Sequence, residues 1–260
     1  YIAGRTQGQY YPEGYWDPPP TFLHEWTRSL FYLPSADKKS DTIVVFDRVK
    51  ADDPEALPKL DRYSGEDAGR ITSAPAVKQW ILHAPMTPTL TPSAIAWSTP
   101  GGQQIRVNTI LPSSQTRTVY DETALWGGLW NFYESELKFQ VRIAPTAVQP
   151  WDTFLNVVQA YDAGPALANS LLQSLDGKAQ GVRVQRTGHN DTMVVFGADP
   201  AQRLLEAGYN LTLTSGTPAA DFYFLDLDPN KAWSVQVDGS TTIALVVSSQ
   251  GVGRATLGLG

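Results

Sequence analysis

The sequence contains no cysteine. This absence excludes a disulfide framework and every thiolate metal site, so histidine and carboxylate side chains are the only metal ligands left. The three histidines, His24, His83 and His189, show none of the close ligand spacings that are typical of zinc sites. We therefore predict no metal and no other cofactor.

Runs of basic residues and long apolar runs are also missing. The net charge is −6, and no cluster of Lys or Arg offers the basic surface that neutralises a phosphate backbone, so nucleic acid is excluded as a partner. No stretch of about 18 apolar residues occurs, so we predict no membrane span. The chain begins with Tyr1 where an initiator Met is expected. We therefore expect a processed product or an excised domain. We also expect a secreted or extracellular location.

Alternating apolar and polar residues dominate what is present. This period-2 pattern predicts strands in residues 30–33, 42–49, 77–83, 105–111, 137–143, 154–160, 181–185, 193–196, 209–214, 233–237 and 243–247. Helical periodicity is confined to residues 166–175 and 201–207, which we expect to be short connectors. The pattern indicates an all-β fold, a large two-sheet antiparallel β-sandwich with long loops and less than about 15% helix.

Two segments interrupt this pattern, the loops at residues 4–20 and 52–76. The first is rich in aromatic residues and proline, and the second is long for a connection inside a compact domain. We therefore divide the chain into an N-terminal segment, residues 1–25, and one β-sandwich domain, residues 26–260.

A series of short motifs follows in a fixed order. They are Trp26-x-Arg28-x-Leu30-x-Tyr32-Leu33-Pro34, Val44-Val45-Phe46-Asp47-Arg48-Val49, Lys78-x-Trp80-x-Leu82-His83, Leu111-Pro112, Phe139-x-Val141-Arg142-Ile143-x-Pro145 and Asp152-x-Phe154-Leu155-Asn156-Val157. This succession resembles the C-terminal β-sandwich region of heparinase II/III-like polysaccharide lyases. The resemblance covers residues 26–160 and fades towards the end of the chain.

The resemblance implies limited chemistry. Lyases of this kind take most of their catalytic residues from an (α/α) toroid, and an early part of the sandwich supplies a metal-binding set of His and Asp. Neither part is visible in this sequence, which implies that no catalytic residue set is complete here. Within the motifs, we predict that Asp47 and Arg48 anchor the turn at residues 51–53 by hydrogen bonds, because buried charges are paired.

The histidines do not replace the missing catalytic set. We predict a half-buried structural role for His83 at the end of an apolar strand, a surface role for His24 and a turn at His189. One histidine without a positioned partner does not make a catalytic site.

Aromatic residues in loops are the remaining candidates for function, because their rings can bury the apolar face of a sugar. The candidate carbohydrate-binding residues form two clusters, Tyr10, Tyr11, Tyr15 and Trp16 in the first and Trp126 and Trp130 in the second. The alternative is that these rings close the ends of the sandwich. Four further tryptophans lie in or beside predicted strands, where we expect core or rim positions: Trp80, Trp97, Trp151 and Trp233.

These observations favour an accessory or glycan-binding domain of a heparinase II/III-like polysaccharide-active protein, not catalytic by itself. Two alternatives stay open. The chain can be a piece of a polysaccharide lyase, which would act by β-elimination on uronate-containing glycans and include the missing toroid. It can also be a structural protein that self-assembles through the edges of its strands.

Overall fold

The structure is a computed structural model. It describes residues 2–7, 23–35, 40–51, 78–92, 94–121, 138–147, 149–162, 166–186, 189–199, 204–205, 207–213, 219–237 and 242–258. Within these ranges there are seventeen β-strands and no helix. The all-β prediction is therefore confirmed. No helix that is long and apolar enough to cross a membrane occurs in these ranges.

The strands occur throughout the described ranges. In chain order they are β1 (Ile2–Gln7), β2 (Leu23–Pro34), β3 (Ser40–Ala51), β4 (Trp80–Ala84), β5 (Thr89–Leu90), β6 (Ala94–Ser98), β7 (Gln104–Leu111), β8 (Gln115–Asp121), β9 (Phe139–Pro145), β10 (Trp151–Tyr161), β11 (Asn169–Gln173), β12 (Ala179–Val184), β13 (Asp191–Gly197), β14 (Ala219–Phe224), β15 (Trp233–Val235), β16 (Ile243–Leu245) and β17 (Gly253–Gly258).

Four sheets are built from these strands. A seven-stranded sheet has the order β1-β2-β3-β10-β7-β6-β5, and a five-stranded sheet has the order β11-β12-β13-β14-β17. A three-stranded sheet, β4-β9-β8, and the pair β15-β16 complete the set. All described pairings between these strands are antiparallel except β13 with β14, which is parallel. The described part of the fold thus contains two small sheets in addition to the two large sheets.

The large sheets pack on each other through alternating side chains. Val44 and Phe46 of β3 face the five-stranded sheet, where the Phe46 ring lies 5.0 Å from the ring of Phe196. The opposite face of β3 carries Val49, which packs towards the three-stranded sheet. Residues 44–49 of β3 are therefore covered on both faces of the sheet, and their alternation follows the predicted period of two residues.

The three-stranded sheet packs one face into the core, and its outward face includes exposed Ile81, His83, Thr118 and Tyr120. Its inner residues, Trp80, Ala84, Val141 and Ile143, join Phe154 of β10 in one apolar cluster. The pair β15-β16 lies similarly against the far face of the five-stranded sheet, through partly buried Trp233 and Leu245. The side chains on the outward face of the three-stranded sheet belong to neither of these clusters.

Most predicted strands are confirmed, but several expectations were wrong. Residues 169–173, within the segment expected to be a helical connector, form β11, because pairing with β12 overrides a weak local preference. The loop expected at residues 4–20 begins later, since β1 runs to Gln7 and pairs with β2. Residues 209–213 form no strand beyond an isolated bridge at Leu211. The boundary between residues 25 and 26 stays a prediction.

Candidate functional site

The buried Asp47 carboxylate lies at the centre of a part-buried hydrogen-bond network. Its carboxylate accepts two hydrogen bonds from Arg28, Nε to Oδ1 at 2.7 Å and Nη2 to Oδ2 at 2.8 Å. The indole Nε1 of Trp26 donates a third at 3.2 Å. Pairing of β2 with β3 places these residues together, since Arg28 is the register partner of Asp47. The Asp47 carboxylate is therefore engaged within the sheet and does not anchor a turn.

Arg48 crosses between the two large sheets. Its side chain is 1% exposed and its Nη1 lies 3.0 Å from Oδ2 of Asp226, which is itself 3% exposed. The same Nη1 donates to the carbonyl of Gly197 at 2.6 Å, and Nη2 donates to the hydroxyl of Ser29 at 3.1 Å. The prediction that Asp47 and Arg48 anchor the turn at residues 51–53 was therefore wrong, because Asp47 pairs with Arg28 of the adjacent β2 and Arg48 pairs with Asp226, which follows β14.

Lys78 and Asp152 form a second buried ion pair. Lys78 Nζ lies 2.8 Å from Oδ2 of Asp152 and also donates to the carbonyl of Gln149. Burial raises the pKa of the Asp152 carboxyl, and the contact with Lys78 opposes that rise. The pair joins the segment before β4 to the start of β10. These charged residues of the motif series thus hold strands and sheets together.

The outward side of the three-stranded sheet has a different character, and we call it the outer face. Register places its side chains in rows, with Tyr120 opposite Gln140 and Gln140 opposite His83 in the first row. The next row is Thr118, Arg142 and Ile81, and Thr116 with Ala144 forms a third. Adjacent strands lie about 4.8 Å apart and residues rise about 3.3 Å along each strand, so the face measures roughly 10 by 13 Å.

Arg142 is the centre of the outer face. Its guanidinium carbon lies 4.3 Å from the centre of the Tyr120 ring, and its Nε donates to the Oε1 of Gln140. Tyr120 is 41% exposed and Ile81 is 44% exposed, so an aromatic ring and an aliphatic side chain flank the cation at the surface. The arrangement offers a positive charge, hydrogen-bonding groups and apolar surface side by side.

The charge of the outer face contrasts with that of the whole chain. The protein carries a net charge of −6. The outer face contains Arg142 and His83 and, among its described residues, no Asp or Glu. Arg117 of β8 points to the inner side, where burial lowers its pKa and its Nη1 donates to the carbonyl of Thr91 at 2.9 Å. Arg142 is thus the arginine that this sheet presents to solvent.

The predicted carbohydrate-binding residues fall outside the described residues. Tyr10, Tyr11, Tyr15 and Trp16 belong to residues 8–22, between β1 and β2. Trp126 and Trp130 belong to residues 122–137, between β8 and β9. Asp121 pairs with Phe139, so this second segment leaves and re-enters the sheet one residue beyond Tyr120 and Gln140. The role of both segments in binding stays a prediction.

The histidines are separated in the structure. His83 lies on the exposed side of β4, so the half-buried position expected for it was wrong. His24 lies in β2 at a register shift between Leu23 and Glu25. The backbone N–H of His189 donates to the carbonyl of Arg186 in the connection from β12 to β13, which confirms the predicted turn. Among the described residues no group of three or more His, Asp or Glu is arranged to hold a metal ion.

The tryptophans of the predicted strands lie in the core or at its rim. Trp80 is 6% exposed and Trp97 is 9% exposed. Trp151 and Trp233 are partly buried, and the Nζ of Lys50 lies 4.8 Å from the centre of the Trp151 ring. The expectation of core or rim positions is confirmed for all four.

Comparisons with known proteins give a general likeness only. No protein-family model and no curated protein matches the sequence. Solved structures that match include heparan sulfate lyase HepC from Pedobacter heparinus and a mutant of that lyase, with TM-scores of 0.37 and 0.38 and 12% sequence identity. Each match covers 74% of this chain and 27% of the lyase chain. This chain therefore corresponds to about a quarter of the length of those structures.

Proposed function

We propose that this chain is an accessory, glycan-binding β-sandwich domain of a heparinase II/III-like polysaccharide-active protein, with no complete active site of its own. The observation that carries the proposal is the outer face, where exposed Tyr120 and Ile81 flank Arg142 and Gln140. Aromatic and aliphatic side chains cover the C–H faces of sugars, and the polar groups beside them bind hydroxyl and charged groups. A domain with this role belongs where polysaccharides are, so we expect an extracellular location.

The accessory role is supported by where the charged motif residues lie. Asp47, Arg48 and Asp152 are buried, and each belongs to an ion pair. Arg48 pairs across the two large sheets, and Asp152 pairs with a lysine in the segment before β4. A lyase needs a base, an acid and a group that neutralises the uronate carboxylate. Residues held in buried ion pairs have no access to a polymer. These buried charges of the motif series therefore have a structural role, and we assign binding to the outer face, which includes Arg142 of the same series.

The first prediction concerns retention on a polysaccharide gel. We expect the unmodified chain to be retarded in gels containing an acidic polysaccharide, and Tyr120→Ala to weaken this binding roughly 30-fold, since loss of one stacked ring costs about 2 kcal/mol at a hot spot. Tyr32→Ala is the matched control, because Tyr32 is 53% exposed on a different sheet. Retention by the unmodified chain on no polysaccharide, or equal loss for both variants, contradicts the proposal.

The accessory role has its own readout in the same samples. Lyase activity on uronate-containing polysaccharides produces unsaturated sugars that absorb ultraviolet light. We expect no increase in absorbance from the purified chain. An increase that Tyr32→Ala leaves intact and His83→Ala abolishes would favour the enzyme alternative instead.

The two aromatic clusters are tested separately. Trp16→Ala and Trp130→Ala lower retention without lowering the melting temperature if the rings contact glycan. If they instead close the ends of the sandwich, both variants melt earlier and keep their affinity per folded molecule. That second outcome removes the clusters from the binding surface and leaves the outer face.

A further inference from the structure

Two polar side chains lie on the face of the seven-stranded sheet that packs against the three-stranded sheet. Asn156 of β10 is 0% exposed, and Thr109 of β7 is 8% exposed. The register pairs Asn156 with Thr109, so both side chains point to the same face. Their neighbours on that face, Phe154 and Val107, belong to the apolar cluster that the two sheets share. Asn156 and Thr109 are therefore a buried polar pair in apolar surroundings.

Three atoms of the buried polar pair have no hydrogen-bond partner in the described part of the chain. They are Nδ2 and Oδ1 of Asn156 and Oγ1 of Thr109. Other buried polar side chains of the same sheet, such as Ser29 and Asp47, do have partners. Nearly all buried polar side-chain atoms in proteins bond to protein groups or to ordered water. Three such atoms on two opposed residues therefore indicate a binding site for a polar ligand.

A β-bulge lies directly beside the buried polar pair. Leu155 pairs with Leu111, but the next residue, Asn156, pairs with Thr109, so β7 carries one extra residue, Ile110, at this point. A bulge bends its strand, increases the local twist and changes the direction of nearby side chains. Opposed residues on one face have Cβ atoms about 4.5–5.5 Å apart, close enough for side chains of this size to interact. The bulge gives a structural reason for two opposed polar side chains that do not bond each other directly.

The burial and the chemistry of the pair select the ligand. Both side chains are almost fully buried, so only a very small ligand fits between them. The three atoms belong to an uncharged amide and an uncharged hydroxyl, which suit a neutral ligand better than an ion, because a buried ion needs a charged partner. A water molecule is stable in a protein interior when it has two to four polar partners. The amide and the hydroxyl supply that number.

We propose that one ordered water molecule binds between Asn156 and Thr109 and bridges the Asn156 amide and the Thr109 hydroxyl. The water joins the side chains of β10 and β7 at the point where the bulge interrupts the regular register of these strands. The site lies in the core and is separate from the glycan-binding surface proposed for the outer face.

A crystal structure of the unmodified chain at high resolution locates the water. We expect one peak of electron density within about 3.2 Å of both Oγ1 of Thr109 and an amide atom of Asn156. The peak should be absent from crystals of Asn156→Leu. Thr192→Val is the control, because Thr192 is also fully buried with an unpartnered Oγ1 but lies in the five-stranded sheet, so this variant should keep the peak.

A cycle of variants measures the coupling of the two side chains through the water. Asn156→Leu and Thr109→Val each remove one partner of the water, so each should lower the melting temperature by about 5 °C. The double variant should lose clearly less than the two single losses added together. Replacing both polar partners by apolar groups of similar shape leaves no buried polar atom of the pair unsatisfied.

Three results would overturn the proposal. The first is electron density that shows a direct hydrogen bond between Asn156 and Thr109 with no water between them. The second is a water peak that persists in Asn156→Leu, since other groups then hold the water. The third is a double variant whose loss equals the sum of the single losses, since the two side chains then act independently. If a variant does not fold, the density of the unmodified chain decides by itself.

Discussion

Arg48→Met is expected to lower the free energy of unfolding by about 3–5 kcal/mol, because it removes a buried cation that binds Asp226, Gly197 and Ser29. The variant keeps the volume of the aliphatic stem but removes the contact between Arg48 and the Asp226 carboxylate, which is 3% exposed. Asp226 also has a φ of 61°, in the left-handed region that costs energy for most residues. The ion pair with Arg48 therefore stabilises both a buried charge and a strained backbone.

Urea unfolding monitored by tryptophan fluorescence measures this loss. The double variant Arg48→Met with Asp226→Asn should be more stable than Arg48→Met alone, because both charges are gone and asparagine tolerates the left-handed region. Lys178→Met is the exposed control. Its pair with Asp176 is 53% and 37% exposed, so the change should stay within about 0.5 kcal/mol. A loss from Arg48→Met as small as the control would show that the buried pair does not hold the two sheets.

Lys78→Met should lower the free energy of unfolding by about 3 kcal/mol at neutral pH. Lys78 and Asp152 are 6% and 8% exposed, so removal of the cation leaves a buried carboxylate without its partner. The lost contact also ties the segment before β4 to the start of β10. The three-stranded sheet and its outer face are the parts of the fold that depend on this contact most directly.

The same variant should show a pH dependence of defined sign. Burial raises the pKa of Asp152 above its ordinary 3.8, and Lys78 opposes the rise, so the pKa rises further in Lys78→Met. A carboxyl whose folded-state pKa exceeds its unfolded-state value contributes stability below the unfolded value and loses it as the pH rises through the folded value. The deficit of Lys78→Met against the unmodified chain should therefore be smaller at pH 4 than at pH 7. A deficit that is equal or larger at pH 4 would contradict a buried Asp152 whose pKa Lys78 lowers.

Apolar alternation predicts the inner strands of this fold well. In β3 it places Val44 and Phe46 on one face and Val49 on the other, as the structure has them. Strands with little apolar content escape this signal. β8, which reads Gln-Thr-Arg-Thr-Val-Tyr-Asp, was not predicted, because polar residues occupy both of its faces. Its place in the sheet depends on pairing with β9, which local sequence does not show.

The sequence alone also could not identify the partners of the buried charged residues. Arg48 meets Asp226 across 178 residues of chain, so nearby residues gave no sign of the pair. The predicted partner, the turn at residues 51–53, is closer in the sequence, and this prediction was wrong. The rule that buried charges are paired held, and the fold alone identified the pair.

The outer face could be predicted only in part. Alternation in β4 and β9 puts Ile81 with His83 and Gln140 with Arg142, and both strands were predicted from the sequence. The missing information was that Tyr120 lies beside them, which required β8 and its register. Aromatic residues in loops gave the stronger local signal and directed attention to residues 8–22 and 122–137. The sequence therefore predicted aromatic binding residues in loops, and it did not predict the exposed surface that β4, β8 and β9 form together.

The most direct test of glycan binding by the outer face maps the ligand onto the protein. A deuterated, ¹⁵N-labelled chain is titrated with a uronate oligosaccharide, and changes in amide chemical shift are followed by NMR. We predict that the largest changes occur at Tyr120, Gln140 and Arg142 and at their neighbours in β4, β8 and β9, and that Arg142→Gln removes them. Changes confined to the five-stranded sheet, or no changes at oligosaccharide concentrations that saturate gel retention, would contradict binding at this face.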